Sequence, residues 1–315
     1  MQMDLPEIQA PVQDQLTAIY RVIEEKFSDP LPTVKRILHK SPVNRGKLIR
    51  PTLMFLLAGA RDCRDPQLVR IATEMEMLHL SSLIHDDVMD HSTMRRGRRS
   101  LNMDEGNQMS ILWGDHLFVN AFRGLNATGR GVAVSVAMDV AAQMIEGQML
   151  ELDHQNDLDT GLGTYMEIIS MKTGALFAGI ARISASLPAP LPADADAFAA
   201  FGNALGVLFQ IRDDLIDIIS PGSGKDRFRD LQEGKITLPV ILLLQQQKRR
   251  TRRLIQVRDY SAVEELLRSS GVLHEVEDRI AQLSGECRDF LVELPDSTFR
   301  HSLLGMVDFI GARDY

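Results

Sequence analysis

Residues 83–100 read LIHDDVMDHSTMRRGRRS, three aspartates in five positions and then four arginines in five. Ionised carboxylates only accept hydrogen bonds and guanidiniums only donate them. On a helix, Asp86 and Asp90 stand one turn apart on one face, with Asp87 beside them. The spacing returns in FQIRDDLIDI, residues 209–218, as Asp213, Asp214 and Asp217 after a similar apolar approach. Neighbouring like charges weaken a helix and raise one another's pKa, which makes a purely structural use unattractive. A divalent cation removes that repulsion. Mg²⁺ suits such donors, since it takes oxygen ligands at about 2.0–2.1 Å and keeps water and substrate phosphates in its other positions. One acidic triplet alone reads as a solvated helix end. Two triplets facing each other would line a cavity for a metal-bound anion such as a diphosphate.

Candidate partners for that anion are scattered along the chain. Arg95 and Arg96 follow the first cluster closely, and guanidinium grips phosphate as a fork, whereas Arg98 and Arg99 read as solvated surface. NRGKLIRP, residues 44–51, offers Lys47 and Arg50 before a proline, with Gly46 allowing close backbone approach. Taken alone it is a charged turn. His79 lies two helical turns before Asp86, where a lone histidine is ordinarily a satisfied core residue. Lys172 and Thr173 open the small-residue apolar stretch of MKTGALF. GKDRFRDLQEGKITLP places Lys225, Asp230 and Lys235 in and after a glycine-containing loop that could close over a phosphate.

These residues need rigid helices behind them, and the chain supplies the pattern. No proline occurs between Pro66 and Pro188, and Ile71, Met75, Leu78 and Ser82 fall on one helical stripe beside Met77, Leu80 and Ile84. Alternating strand patterns with Asn-Gly or Asp-Gly turns are hard to find. Breaks fall at 28–32, 41–46, 61–66, 187–194, 220–226 and 294–297, none long enough for a domain linker. The expectation is an all-α chain forming one domain over residues 1–315. The sequence of 315 residues, 44% hydrophobic and 25% charged, suffices for a sizeable core. A net charge of −8 opposes general nucleic-acid binding, although residues 95–99 and 248–253 are locally basic. Cys63 and Cys287 offer neither zinc spacing nor a disulfide framework, so a reducing cytoplasm is expected. The acidic N-terminus lacks a signal-peptide pattern, and the apolar run LPVILLL falls short of a bilayer span.

In order, RGKLIRP, HLSSLIHDDVMD, MRRG, KTGALF, FQIRDDLID and DLQEGKITLP resemble the trans-isoprenyl diphosphate synthases, the polyprenyl synthetase family. The resemblance runs from about residue 17 to 240, with a weaker helical tail. It implies a bundle of long helices around a deep central cavity, as a homodimer. It further implies that Asp86, Asp87, Asp90, Asp213, Asp214 and Asp217 hold three Mg²⁺ on an allylic diphosphate. Arg95, Lys172, Thr173, Gln210 and Lys235, with Lys225, would grip that substrate. Gly46, Lys47, Arg50, His79 and Arg96 would bind isopentenyl diphosphate. Three positions depart from the family's habit: Arg45 replaces a glycine, Arg99-Ser100 stands where Pro-Thr is common, and Arg212 occupies a usually neutral position. None removes an aspartate.

The implied reaction is head-to-tail condensation of isopentenyl diphosphate onto an allylic primer, with transient contact at a membrane surface for release of a lipid product. Aromatic residues four or five positions before the first motif stop growth near fifteen or twenty carbons in the family. Ser81 and Ser82 stand there instead, so a longer product is expected, with Trp113 and Phe118 as candidates for a lower wall. A short-chain synthase remains open, as does a partner subunit of a heteromeric enzyme, although such a subunit would be expected to lose aspartates. A terpene cyclase would carry a different second metal motif, and a metal phosphohydrolase would need more histidine ligands than a His85-Asp86 pair.

Overall fold

The computed structural model describes residues 3–28, 31–41, 46–95, 97–187, 192–219 and 227–313. The chain opens with α1 (Leu5–Gln9), α2 (Gln13–Lys26), α3 (Pro32–Lys40), α4 (Ile49–Ala60) and α5 (Leu68–Met89). A two-residue ladder, β1 (Met94–Arg95) against β2 (Arg98–Arg99), then precedes α6 (Leu101–Glu105), α7 (Asn107–Ala127) and α8 (Gly131–Asp153). After α9 (Leu162–Ile169), a π-helical turn at Ser170–Gly174 leads into α10 (Ala175–Ala185) and α11 (Pro192–Ile219). The chain continues through α12 (Arg229–Gln232), α13 (Leu238–Gln256), α14 (Tyr260–Ser269), α15 (Val272–Val292) and α16 (Thr298–Ala312). The expected all-α class holds, and the short ladder is the exception. Gly97, at φ 73°, supplies its left-handed turn.

Pro51 lies in the first turn of α4, where its missing N–H costs nothing, so it begins a helix there. The proline-free interval is also not continuous helix. It turns at Thr128–Arg130, where Gly129 has φ 68°, and again between His154 and Gly161.

α4, α5 and α10 are buried nearly all round, whereas α7 and α8 keep an exposed side. α5 packs on α7, and α10 on α11. Small residues allow this closeness: a Cβ on Gly206 would lie 2.8 Å from Gly174 Cα, and one on Gly202 would lie 2.5 Å from Phe177 O. A cluster of buried apolar side chains extends from Ile8 to Ile310, each fully buried Leu, Ile or Phe contributing roughly 1.5–3 kcal/mol. Among the described residues only 162–185 is long and apolar enough to cross a membrane, and 72% of that window is buried inside the protein. Its hydrophobicity serves the core.

Candidate active site

α4, α5, α7, α8, the π-turn, α11 and the segment 227–235 enclose a cavity of about 1230 Å³. Apolar side chains such as Leu83, Ile111, Met144 and Leu176 line part of it, and charged groups the rest. Asp86 and Asp90, at the C-terminal end of α5, both face it. Asp87 is buried and accepts two hydrogen bonds on Oδ1 from Arg95, Nε at 2.8 Å and Nη2 at 2.5 Å. Arg95 itself lines the cavity.

The second motif divides its three carboxylates. Asp213 faces the cavity and pairs with Arg313 Nη2 at 2.5 Å. Asp214 turns into a small adjoining pocket, where Tyr165 Oη donates to it at 2.6 Å and Gln210 Nε2 at 2.8 Å. Gln210 in turn accepts from Thr173 Oγ1 at 2.8 Å. Asp217 accepts the backbone N–H groups of Arg229 at 3.0 Å and Asp230 at 3.3 Å, which fixes the start of α12.

Both lysines sit between the motifs. Lys172, on the π-turn, pairs with Glu151 of α8 at 2.5 Å. Lys235 pairs with Asp90 at 2.8 Å and Glu233 at 2.9 Å. At the opposite corner, Arg50 Nη1 meets His79 Nε2 at 2.9 Å, and its guanidinium lies 4.8 Å from the Phe177 ring centroid. Gln9 of α1 pins the preceding loop by donating to Lys47 O at 2.8 Å and to Thr52 Oγ1 at 3.0 Å. Leu48 there is left-handed, φ 49°, as the chain turns from Gly46 into α4. Arg96, Lys225 and Arg45 lie outside the described residues.

The electrostatics follow from burial. Desolvation raises the pKa of Asp86, with Asp90 and Glu151 adding to it and Lys172 opposing. Burial likewise raises Asp213, against the pull of Arg313, Arg50 and Lys47. Asp214 is pushed up to about 7, chiefly by burial and despite its bonds from Tyr165 and Gln210. Asp217 and Asp230 also rise through burial. Burial disfavours the charge on Lys235, but Glu151, Asp90 and Glu233 outweigh it and hold the ammonium above its ordinary range.

These carboxylates present hard oxygen donors in an environment that resists their negative charge, so a hard divalent cation fits their chemistry. Among the described residues, no three acidic, histidine or cysteine groups stand close enough to hold a metal ion by themselves. The partners of these carboxylates are cations, backbone amides and, for Asp214, the side chains of Tyr165 and Gln210.

Several site residues escape sequence reasoning. Glu151 belongs to neither aspartate motif, and only the packing of α8 brings it to Lys172. Tyr165 has no polar neighbour in sequence that signals its bond to Asp214. Arg229 and Glu233 line the cavity from the lid loop, where only Asp230 and the lysines stand out. Two expected wall residues move away from it. Trp113 is buried with Nε1 donating to Ser41 Oγ at 3.0 Å, and Phe118 packs edge-on to Phe122 at 5.0 Å. Neither lines the cavity.

Comparison with known proteins places the whole chain beside one family. Residues 32–269 match the family described as polyprenyl synthetase. The chain is similar to the octaprenyl diphosphate synthase of Escherichia coli, 30% identical over 322 residues, covering 99% of this chain and 100% of that one. It is 34% identical over 315 residues to the nonaprenyl diphosphate synthase of Mycobacterium tuberculosis, with 96% and 92% covered. The crystal structure of a polyprenyl synthase from Caulobacter crescentus, complexed with calcium and isoprenyl diphosphate, superposes with a TM-score of 0.92 at 26% identity, covering 100% of this chain and 99% of that one.

Proposed function

The chain belongs to the polyprenyl synthetase family and is a prenyltransferase, and from that premise we propose that it condenses isopentenyl diphosphate head-to-tail onto an allylic diphosphate, with Mg²⁺, to give a trans-polyprenyl diphosphate longer than twenty carbons. One observation carries the reading: two aspartate motifs reach one largely apolar cavity with Lys172 and Lys235 between them. In this reading Asp86, Asp87, Asp90, Asp213, Asp214 and Asp217 hold three Mg²⁺. Bound there, the cations would neutralise the charge that develops on the leaving diphosphate.

The protein's own groups do the rest. Lys172, Lys235, Arg95, Thr173 and Gln210 orient the allylic diphosphate, and the two ammonium groups stabilise its bridging oxygen as the carbon–oxygen bond stretches. The electron pair leaves with the diphosphate. Leu83, Ile111, Met144 and Leu176 give the allylic cation an apolar surround that keeps water away. Gly46, Lys47, Arg50 and His79, with Arg96, hold isopentenyl diphosphate so that its double bond attacks the cation. Loss of a proton then restores a double bond. Glu151 and Glu233 keep the lysines extended into the cavity until substrate displaces them.

We read residues 1–315 as one polyprenyl synthetase domain acting in the cytoplasm, a view supported by two unbridged, buried cysteines. A homodimer is supported by exposed apolar residues on α7 and α8 that do not line the cavity, among them Leu112, Val119 and Met138. Lengths named for the relatives, octaprenyl and nonaprenyl, favour a long product. The test is an assay with isopentenyl diphosphate, an allylic primer and Mg²⁺, followed by mass analysis of the product. No condensation would sink the reaction, and a product stopping at fifteen or twenty carbons would sink the length.

A further inference from the structure

Arg212 stands beside the second aspartate motif yet does not line the cavity. It is only 5% exposed, its Nε donates to the backbone O of Arg313 at 2.7 Å, and its Nη1 pairs with Glu277 Oε1 of α15 at 2.7 Å. It thus ties the segment after α16 to α11 and α15. A buried guanidinium is costly to place. Here it fixes one carbonyl of the residue whose side chain enters the cavity.

Arg313 leaves α16 with extended backbone, φ −64° and ψ 143°. Its guanidinium lies 3.8 Å from the Phe209 ring centroid. Nη2 donates to Phe209 O at 2.9 Å and pairs with Asp213 at 2.5 Å. The side chain is 7% exposed, lines the cavity, and keeps Nε buried with no hydrogen-bond partner. An unmatched buried donor is unfavourable until an acceptor arrives. The Arg50 guanidinium faces the same Phe209 ring at 5.8 Å and meets His79. Lys47 and Arg50 stand close enough to act on the charge of Asp213, as Arg313 does. Lys47, Arg50 and Arg313 thus gather around Asp213, with Glu76 also lining the cavity, and such a grouping of cations suits a diphosphate.

We propose that Arg313 is a ligand of isopentenyl diphosphate and that Arg212 is a positioning residue that holds it there. The inference rests on the reaction assigned above. Stacking on Phe209 keeps the guanidinium plane fixed, so its fork meets phosphate oxygens with little further ordering. Arg212 contributes no direct contact with substrate. It sets where the Arg313 backbone ends, and through it the reach of the fork. Arg212 thereby gains a role that its unusual charge within the motif leaves unexplained.

The test measures binding of isopentenyl diphosphate to the metal-free, full-length protein by calorimetry, beside KM for both substrates in the complete assay. Arg313→Gln should weaken isopentenyl diphosphate binding by about 10- to 100-fold, with KM for the allylic primer within about 2-fold of wild type. Arg313→Lys, which keeps charge but loses the fork, should fall between. Arg212→Leu should weaken the same binding by about 3- to 10-fold, and Arg212→Lys should recover part of the loss. Because Arg212 acts through Arg313, the double variant should bind no more weakly than Arg313→Gln alone. Unchanged isopentenyl diphosphate affinity in a folded Arg313→Gln protein overturns the ligand assignment. Additive losses overturn the positioning role. Failure of wild-type protein to bind or consume isopentenyl diphosphate overturns the reaction itself, a result that no variant is needed to see.

Discussion

Lys235 Nζ donates to Asp90 Oδ2 at 2.8 Å, joining the end of the first aspartate motif to the loop that follows the second. The two residues are 145 positions apart. The bond brings a cation to the last carboxylate of the first motif, and Glu233 and Glu151 also act on it. Lys235→Ala should reduce turnover about 10²- to 10³-fold, the loss expected when one preorganised donor to a leaving group is removed. Circular dichroism should remain native. Steady-state kinetics check it, and a variant within a few-fold of wild type would remove Lys235 from the leaving-group site.

Tyr165 gives a second test, through pH. Its hydroxyl donates to Asp214 and favours the ionised carboxylate, opposing the burial that pushes that group up to about 7. Tyr165→Phe removes the donor, so the Asp214 pKa should rise further. If ionised Asp214 is needed for turnover, the acidic limb of the kcat/KM profile should move to higher pH. A uniform drop in rate with an unmoved limb would count against the coupling.

How much of this was legible in the sequence depends on range. Asp86 and Asp90 are one turn apart on one helix, so their shared face follows from local geometry, and both do face the cavity. The same local rule says nothing of Asp214, which turns towards Tyr165 of α9, or of Asp217, which accepts the amides that begin α12. Those partners depend on how separate helices pack. Glu151 and Arg313 are further cases, charges far along the chain from both motifs or from the partner that gives them meaning, Lys172 and Asp213. Helix class was legible from periodicity, but Pro51 shows that a proline marks a boundary without saying which side is helical.

The raised carboxylates predict how stability responds to pH and metal. Asp86, Asp213, Asp214, Asp217 and Asp230 all bind protons more tightly in the folded protein than in the unfolded chain. A raised folded pKa contributes stability that is complete below the unfolded value and is lost as pH rises through the folded one. For Asp214 that window runs from its ordinary value of 3.8 to about 7. Metal-free protein should therefore melt at a lower temperature at pH 8 than at pH 6. Mg²⁺ with inorganic diphosphate should restore the loss at pH 8, because the cations compensate the ionised carboxylates. Asp214→Asn should flatten the decline, as the buried charge that appears in this window is gone. Differential scanning calorimetry across pH measures this, and a metal-free melting temperature that rises from pH 6 to 8 would contradict it.

Product length turns on which serine faces the tail. Ser81 is fully buried with Oγ donating to Gly114 O of α7 at 2.9 Å, so it packs two helices together and does not line the cavity. Ser82 does line it, with Oγ turned back onto His79 O at 2.8 Å. Four residues before Asp86 on α5, Ser82 lies about 6 Å along the axis from the carboxylate, at about 1.5 Å per residue. A tail anchored by its diphosphate at Asp86 and Asp90 passes that level within its first few isoprene units. The floor expected from the serine pair therefore narrows to one position. Ser82→Phe should shorten the product while leaving the first condensation in place. Ser81→Phe should instead force α5 from α7, costing about 1–3 kcal/mol and lowering the melting temperature by about 2–5 °C, with no defined shortening in the protein that remains folded. Mass analysis of extracted products separates the two. If Ser82→Phe yields the wild-type length, the tail does not run along this face of α5, and the wall must be sought among Met144 and Ile145 of α8, which line the cavity.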